Sequence, residues 1–93
     1  MSVPTPLTPA NGATVTTTSP TVTWSKVSGA SSYSVQVFTG SCGGTLVGTG
    51  YPGSNTKFQF YNLAHGTTYW WQVDATGSGG TSNWSSCYSF SVQ

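Results

Sequence analysis

The strongest structural signal in this sequence is the run Tyr69-Trp70-Trp71-Gln72-Val73-Asp74-Ala75-Thr76. Side chains in this run alternate with a period of two, which is the period of a β-strand. One face would carry Tyr69, Trp71, Val73 and Ala75, and the other Trp70, Gln72, Asp74 and Thr76. We therefore predict a strand over 69–76 whose first face is buried in a core.

The same period recurs along the rest of the chain. It is found in segments 21–24, 33–38, 58–61 and 87–92. Gly, Pro, Asn and Ser residues separate these segments, as turns between strands require. No long window shows apolar residues at the spacing of a helix, so helices are not expected. Short strands with regular turns predict an all-β sandwich or barrel.

Charged side chains are almost absent. Lys26, Lys57 and Asp74 make up 3% of the 93 residues, whereas aromatic residues make up 14%, which favours a packed domain over a disordered chain. Nucleic-acid binding and polybasic membrane contacts both need clusters of Lys or Arg, so neither partner is predicted. No apolar run approaches the roughly 20 residues of a membrane-spanning helix, so membrane insertion is not predicted either.

The shortage of ionisable groups also argues against an enzyme. A glycosidase usually needs two carboxyl side chains, and Asp74 is the only one in the chain. A Ser-His-Asp triad would need His65 and Asp74, which strand spacing separates by roughly 25–30 Å. We expect His65 to be a solvated turn residue and Asp74 to be an exposed strand residue near Ser34. No catalytic site, metal site or cofactor is predicted.

The segment Leu63-Ala64-His65-Gly66-Thr67-Thr68-Tyr69 resembles the Leu-x-Pro-Gly-Thr-x-Tyr motif of the fibronectin type III family, with His65 in place of proline. The strand that follows is similar to the Tyr-Tyr-Trp-Arg-Val-Arg-Ala strand of secreted bacterial members. Segments 20–24, 33–37 and 84–92 resemble the second, third and last strands of the family. The resemblance covers residues 5–93, and residues 1–4 are interpreted as an expression start or linker.

The resemblance implies a two-sheet, immunoglobulin-like sandwich of about seven antiparallel strands with fibronectin type III topology. The expected core contains Trp24, Tyr33, Tyr69, Trp71 and Phe90. Tyr69 would form a tyrosine corner, in which its hydroxyl bonds a backbone group a few residues upstream.

The outer face of the sheet that contains residues 69–76 holds the candidate binding residues. If 33–38 pairs with 69–76 in the family manner, Phe38 lies beside Trp70 and both face solvent. Gln36 and Gln72 would flank this aromatic pair. The interpretations that remain open are a cross-strand pair that only stabilises the sheet, a contact with a protein or neighbouring domain, and a platform for sugar rings.

The two cysteines, Cys42 and Cys87, form the candidate disulfide. An even number of cysteines is typical of a module from an oxidising compartment. The family topology nominally places Cys42 and Cys87 at opposite ends of the sandwich, however, and a disulfide needs Cα atoms within about 7 Å. An intramolecular bond, two separate thiols and an intermolecular bond all remain open.

The function expected from these observations is that of a non-catalytic spacer, structural or adhesion module in a larger secreted or cell-surface protein. Its partners would be neighbouring domains of the same chain or another protein. The alternative is an accessory carbohydrate-binding module that holds a polysaccharide through the exposed pair Phe38 and Trp70 and the amides of Gln36 and Gln72.

Overall fold

A computed structural model describes residues 2–93, which contain β-strands and no helix. The strands are β1 (Pro6–Thr8), β2 (Ala13–Val15), β3 (Thr21–Trp24), β4 (Ala30–Thr39), β5 (Thr45–Gly53), β6 (Lys57–Gln59), β7 (Thr68–Gly77), β8 (Gly80–Thr81) and β9 (Tyr88–Val92). The first sheet has the order β1-β3-β6. The second has the order β2-β9-β7-β4-β5, with β8 paired to β7. The expected two-sheet, all-β architecture is confirmed.

The nine described strands exceed the expected number for local reasons. The N-terminal strand is divided between the sheets: β1 pairs with β3, and beyond the cis Thr8-Pro9 bond β2 pairs in parallel with β9. Proline cannot donate to a ladder, which suits Pro9 to the point where the chain changes sheets. The short strand β8 is the return of a hairpin from β7.

The long strands β4 and β7 form the centre of the second sheet. They pair antiparallel from Ala30↔Gly77 to Thr39↔Tyr69. Ten residues of strand span about 33 Å at ~3.3 Å per residue, which accounts for most of the 40 Å length of the molecule. The other two dimensions are 21 and 19 Å, so the domain is a short rod.

The core lies between the two sheets and is built from alternate residues of their strands. Trp71 and Phe90 are fully buried, and Trp24, Tyr33 and Tyr69 are each 5% exposed or less. The indole of Trp24 contacts Tyr33 and Trp71, with ring centroids 5.6 and 6.3 Å apart. Pro4 is also fully buried, so the packed unit includes a residue of the segment that was interpreted as a linker.

The tyrosine corner is present before β7. The hydroxyl of Tyr69 accepts a hydrogen bond from the N–H of Ala64 at 2.7 Å. Gly66 has a φ of 73°, a conformation that side chains disfavour, and its N–H donates to the carbonyl of Val92 at 2.6 Å. These contacts hold the connection from β6 to β7 against the end of β9.

Strand β5, an edge of the second sheet, is protected from pairing with another chain although it carries no charged residue. Strand β5 contains two bulges against β4: Val47 is inserted between the pairs Val37↔Gly48 and Phe38↔Leu46, and a second irregularity lies at 51–52. Pro52 falls within that second bulge and cannot donate to a further strand. Bulges and edge prolines both discourage pairing with another chain, a task that lysines often perform elsewhere.

The two ends of the described chain lie at opposite poles of the rod. Thr5 lies at the pole where β4 begins. Its carbonyl accepts a hydrogen bond from the N–H of Ser25, and its own N–H donates to Oγ of Ser25. Gln93 donates its N–H to the carbonyl of Val15 at 2.9 Å, at the pole where β4 ends. The strands β4 and β7 therefore separate the two ends.

Candidate functional site

Strand register brings together the four residues of the predicted outer-face site. Phe38 pairs with Trp70 and Gln36 pairs with Gln72 across β4 and β7. The amide nitrogen of Gln72 donates to Oε1 of Gln36 at 3.0 Å, so a donor of one amide is paired with the acceptor of the other.

The predicted exposure of the aromatic pair is wrong. Phe38 is only 7% exposed and Trp70 is half-buried. Gln36 and Gln72 are half-buried as well. A ring that is covered in this way cannot stack on a sugar, so the polysaccharide platform on Phe38 and Trp70 is not available in this structure.

A hairpin loop, residues 40–44 between β4 and β5, is tethered to this sheet by a disulfide. Cys42 in this loop is bonded to Cys87, with Cα atoms 5.9 Å apart. Tyr88 pairs with Trp71, which places Cys87 beside Gln72. The loop leaves β4 at Thr39, which pairs with Tyr69, and Gln72 is three residues or about 10 Å further along β7. The loop must therefore fold back over the outer face, the face on which Phe38 lies.

The structure brings Cys42 and Cys87 together, although the family topology was expected to keep them apart. The expectation that Cys42 and Cys87 lie at opposite ends of the sandwich is wrong, because it assumed that the loop extends β4 and β5. Gly40 and Gly43 adopt φ values of 85° and 78°, a left-handed conformation that glycine tolerates best. These two residues allow the loop to reverse onto the sheet.

Asp74 differs from the exposed strand residue that was predicted. It is 6% exposed, and it pairs with Ser34 of β4. Burial raises the pKa of the Asp74 carboxyl, and hydrogen bonds from Ser34 oppose that rise only in part. Its Oδ1 atom has no hydrogen-bond partner among the described residues.

No catalytic arrangement surrounds this carboxyl. His65 is exposed, and its Nδ1 donates to the carbonyl of Gln93 at 2.7 Å, in the connection before β7. Asp74 lies near the other end of β7. Within residues 2–93 there is no group of three or more His, Cys, Asp or Glu side chains that could hold a metal ion. No described helix is long and apolar enough to cross a membrane.

Two buried serines near β9 were not identified from the sequence. Ser82 donates its N–H to the carbonyl of Ala75 and accepts from the N–H of Ala75 through Oγ. Ser85 makes the same pair of contacts with Val73. The segment 82–85 is thus paired to the edge of β7 by backbone N–H groups and serine hydroxyls together, and the Ser-x-x-Ser spacing is the only signal that could have indicated it.

A second surface lies where the free edges of the two sheets meet. Two open clefts, of about 390 and 180 Å³, adjoin each other there. Both are lined by Phe58, Gln59 and Tyr61. Phe58 can lie against the backbone of β5 because Gly50 has no side chain: a Cβ at that position would be 2.5 Å from the ring.

No protein-family model and no curated protein sequence matches this chain. Solved structures do. An Fn3-like protein from Clostridium thermocellum matches with a TM-score of 0.76 and 23% sequence identity, over 99% of this chain and 93% of that chain. The fibronectin type III domain of human fibronectin type III domain containing protein 3 matches with a TM-score of 0.67 and 27% identity, over 98% and 84%.

A third match shows the same fold inside a larger protein. The twitchin kinase region from C. elegans has a TM-score of 0.61 and 15% identity to this chain. The match covers 94% of this chain and 16% of that one. Because the likeness extends over nearly all of the described strands, this chain has the fibronectin type III fold.

Proposed function

We propose that this domain is a non-catalytic spacer or adhesion module of a larger secreted or cell-surface protein. Domains of this fold are generally structural modules within longer chains, as in the twitchin kinase region. The observation that carries the proposal is the placement of Thr5 and Gln93 at opposite poles of a rod 40 Å long. A domain entered at one pole and left at the other adds its length to the chain.

Surface charge supports the same role. The net charge is +1, and Lys26 and Lys57 are the only formally charged side chains besides the buried Asp74. Neighbouring copies therefore exert little long-range repulsion on one another, and the contacts between them depend on local packing.

The disulfide supports location outside the cytosol. Bonds such as Cys42–Cys87 form and persist in oxidising compartments and are rare where glutathione and thioredoxin keep thiols reduced. Alkylation of protein recovered from the culture medium or cell surface, followed by mass spectrometry, should find both cysteines protected. Free thiols on Cys42 and Cys87 in that material would contradict a secreted location.

The spacer role is tested by joining three copies directly in tandem and measuring their maximum dimension by small-angle X-ray scattering. Each copy should add nearly its full length of 40 Å. Three copies joined by long Gly/Ser linkers serve as the control, since flexible linkers give a broad distribution of separations. An array in which each added copy contributes only about its 19–21 Å width would contradict the proposal.

A further inference from the structure

Large exposed apolar side chains are concentrated on one side of the domain. Seven such residues occur in the described chain, and Leu46, Val47, Tyr51 and Tyr61 all belong to β5 or to the residue pair that follows β6. Strands β5 and β6 each form one edge of their sheet, and the two edges are in contact. Exposed apolar residues that gather on one side of a small domain mark an interaction surface.

The bulges of β5 contribute to this surface. Val47 lies at one bulge and Tyr51 at the other, and they are 47% and 77% exposed. A bulge places an additional side chain outside the strand's alternation and redirects it. The features that protect the edge from strand pairing therefore also present apolar side chains to solvent.

Tyr61 is the exposed apolar residue of this side that lines both clefts. It is 65% exposed, yet its hydroxyl donates to Oε1 of Gln59 at 3.1 Å. The amide nitrogen of Gln59 in turn donates to the carbonyl of Ser19 at 3.0 Å. An exposed ring that is held by two successive hydrogen bonds loses little conformational entropy when a ligand stacks on it.

The clefts combine aromatic rings with uncharged hydrogen-bonding groups. Besides the residues that both clefts share, the larger one is lined by Thr21, Asn55 and Lys57, and the smaller one by Val47, Thr49 and Leu63. Aromatic faces suit the C–H face of a pyranose ring, and amides and hydroxyls suit its hydroxyl groups. An apolar peptide helix in these clefts would leave the polar groups of the lining unpaired.

The charges of the cleft residues indicate which kind of sugar the clefts favour. Lys57 is the only formally charged side chain in either cleft, and the single side-chain carboxyl of the protein, Asp74, is buried in β7 and lines neither cleft. Nothing in the clefts repels an anion, and nothing attracts a cation. We propose that the clefts beside Tyr61 bind an acidic polysaccharide, with Tyr61 stacking on a sugar ring, Gln59 and Asn55 bonding its hydroxyls, and Lys57 pairing with a sugar carboxylate.

The test is affinity electrophoresis and calorimetry with polygalacturonate and alginate as acidic probes and with dextran and xylan as neutral ones. Wild type should bind an acidic probe, and higher salt should weaken that binding through screening of Lys57. Tyr61→Ala should lower the affinity about tenfold, the loss expected when an aromatic contact of roughly 1.4 kcal/mol is removed. Lys57→Gln should lower affinity for the acidic probes only.

Tyr51→Ala is the matched control, because Tyr51 is more exposed than Tyr61 and lines neither cleft. It should bind as wild type does, and thermal unfolding should show that all three variants are folded. The proposal is overturned if no acidic probe binds, if Tyr61→Ala binds as tightly as wild type, or if neutral probes bind equally well. Capture of a second copy of the domain without any glycan would assign the surface to protein contacts instead. None of these outcomes alters the tandem-array test of the spacer role.

Discussion

The Sγ atom of Cys87 lies 3.7 Å from Oε1 of Gln72, on the outer face of the second sheet. Because the sulfur is part of a disulfide and carries no proton, this is a packing contact rather than a hydrogen bond. It shows that the bond to Cys42 lies on the sheet, over residues that strand alternation alone would leave in water. The disulfide therefore has a second consequence besides cross-linking the chain: it holds the hairpin loop over the face that carries Phe38.

Replacing both cysteines, Cys42→Ser and Cys87→Ser together, should lower the free energy of unfolding substantially. The bond closes a loop with a sequence separation of 45, for which chain entropy gives about 4 kcal/mol. Urea unfolding measures the change, and reduced wild type should behave as the double variant does. Equal stability of oxidised wild type and the double variant would show that the bond does not constrain the chain.

The same double variant should expose the aromatic pair. Without its tether the hairpin loop has only Gly, Ser and the former cysteine to hold it on the sheet, so Phe38 and Trp70 should become accessible. Acrylamide quenching of tryptophan fluorescence should increase, and Trp70→Phe in the same background should abolish that increase. Unchanged quenching would mean that other contacts hold the loop in place.

Removing the hydroxyl of the tyrosine corner should destabilise the domain. Tyr69→Phe leaves the N–H of Ala64 without its protein acceptor, at a cost of about 0.5–1.5 kcal/mol, because Ala64 is exposed and water can replace the lost hydroxyl. Tyr51→Phe removes a hydroxyl from a ring that is 77% exposed, so it is the matched control and should have no effect. Equal denaturation midpoints for the two variants would contradict the role given to the corner.

Asp74 should make the domain more stable in acid than at neutral pH. Burial raises its pKa above the ordinary value of 3.8, so the folded state binds the proton more tightly than the unfolded state. Stability should therefore increase as pH falls through the raised pKa, and this gain should be complete below 3.8. In Asp74→Asn the gain should disappear, while stability at neutral pH should rise.

Urea midpoints measured across this pH range for both proteins isolate the effect, since His65 and the chain ends are common to them. The comparison is unusually clean because no other side-chain carboxyl is present. If wild type lost stability on acidification relative to Asp74→Asn, the carboxylate would be the favoured form in the folded protein. The assignment of burial as the dominant cause would then be wrong.

Strand alternation was sufficient to predict which residues face the core. Trp71 and Val73 are buried as the period of two requires. The pairing of Phe38 with Trp70 was expected from the family resemblance, and the strand register has that pair. Exposure on the outer face could not be read in this way. Whether Phe38 is exposed to water depends on the path of the hairpin loop, which is bonded to Cys87 about forty residues further along the chain. Alternation within a strand carries no information about that path.

The buried state of Asp74 was missed for a related reason. An acidic residue on the outer face of a strand is usually solvated, and the sequence offers no positive partner that would indicate otherwise. Segment 82–85 lies along β7 next to Asp74, but it does so through the side chains of Ser82 and Ser85. Such pairing has no periodic signature, because serine at these positions looks the same as serine in a turn.

The placement of the chain ends is tested most directly by the distance between them within one domain. Donor and acceptor fluorophores attached through unnatural amino acids at Thr5 and Gln93 would leave both cysteines in their disulfide. The structure predicts a separation well above the transverse dimensions of 19–21 Å and close to the ~33 Å span of the ten-residue strand β4, with a narrow distribution. A separation close to the transverse 19–21 Å would place both ends at one pole, and the domain could not then lengthen the protein that contains it.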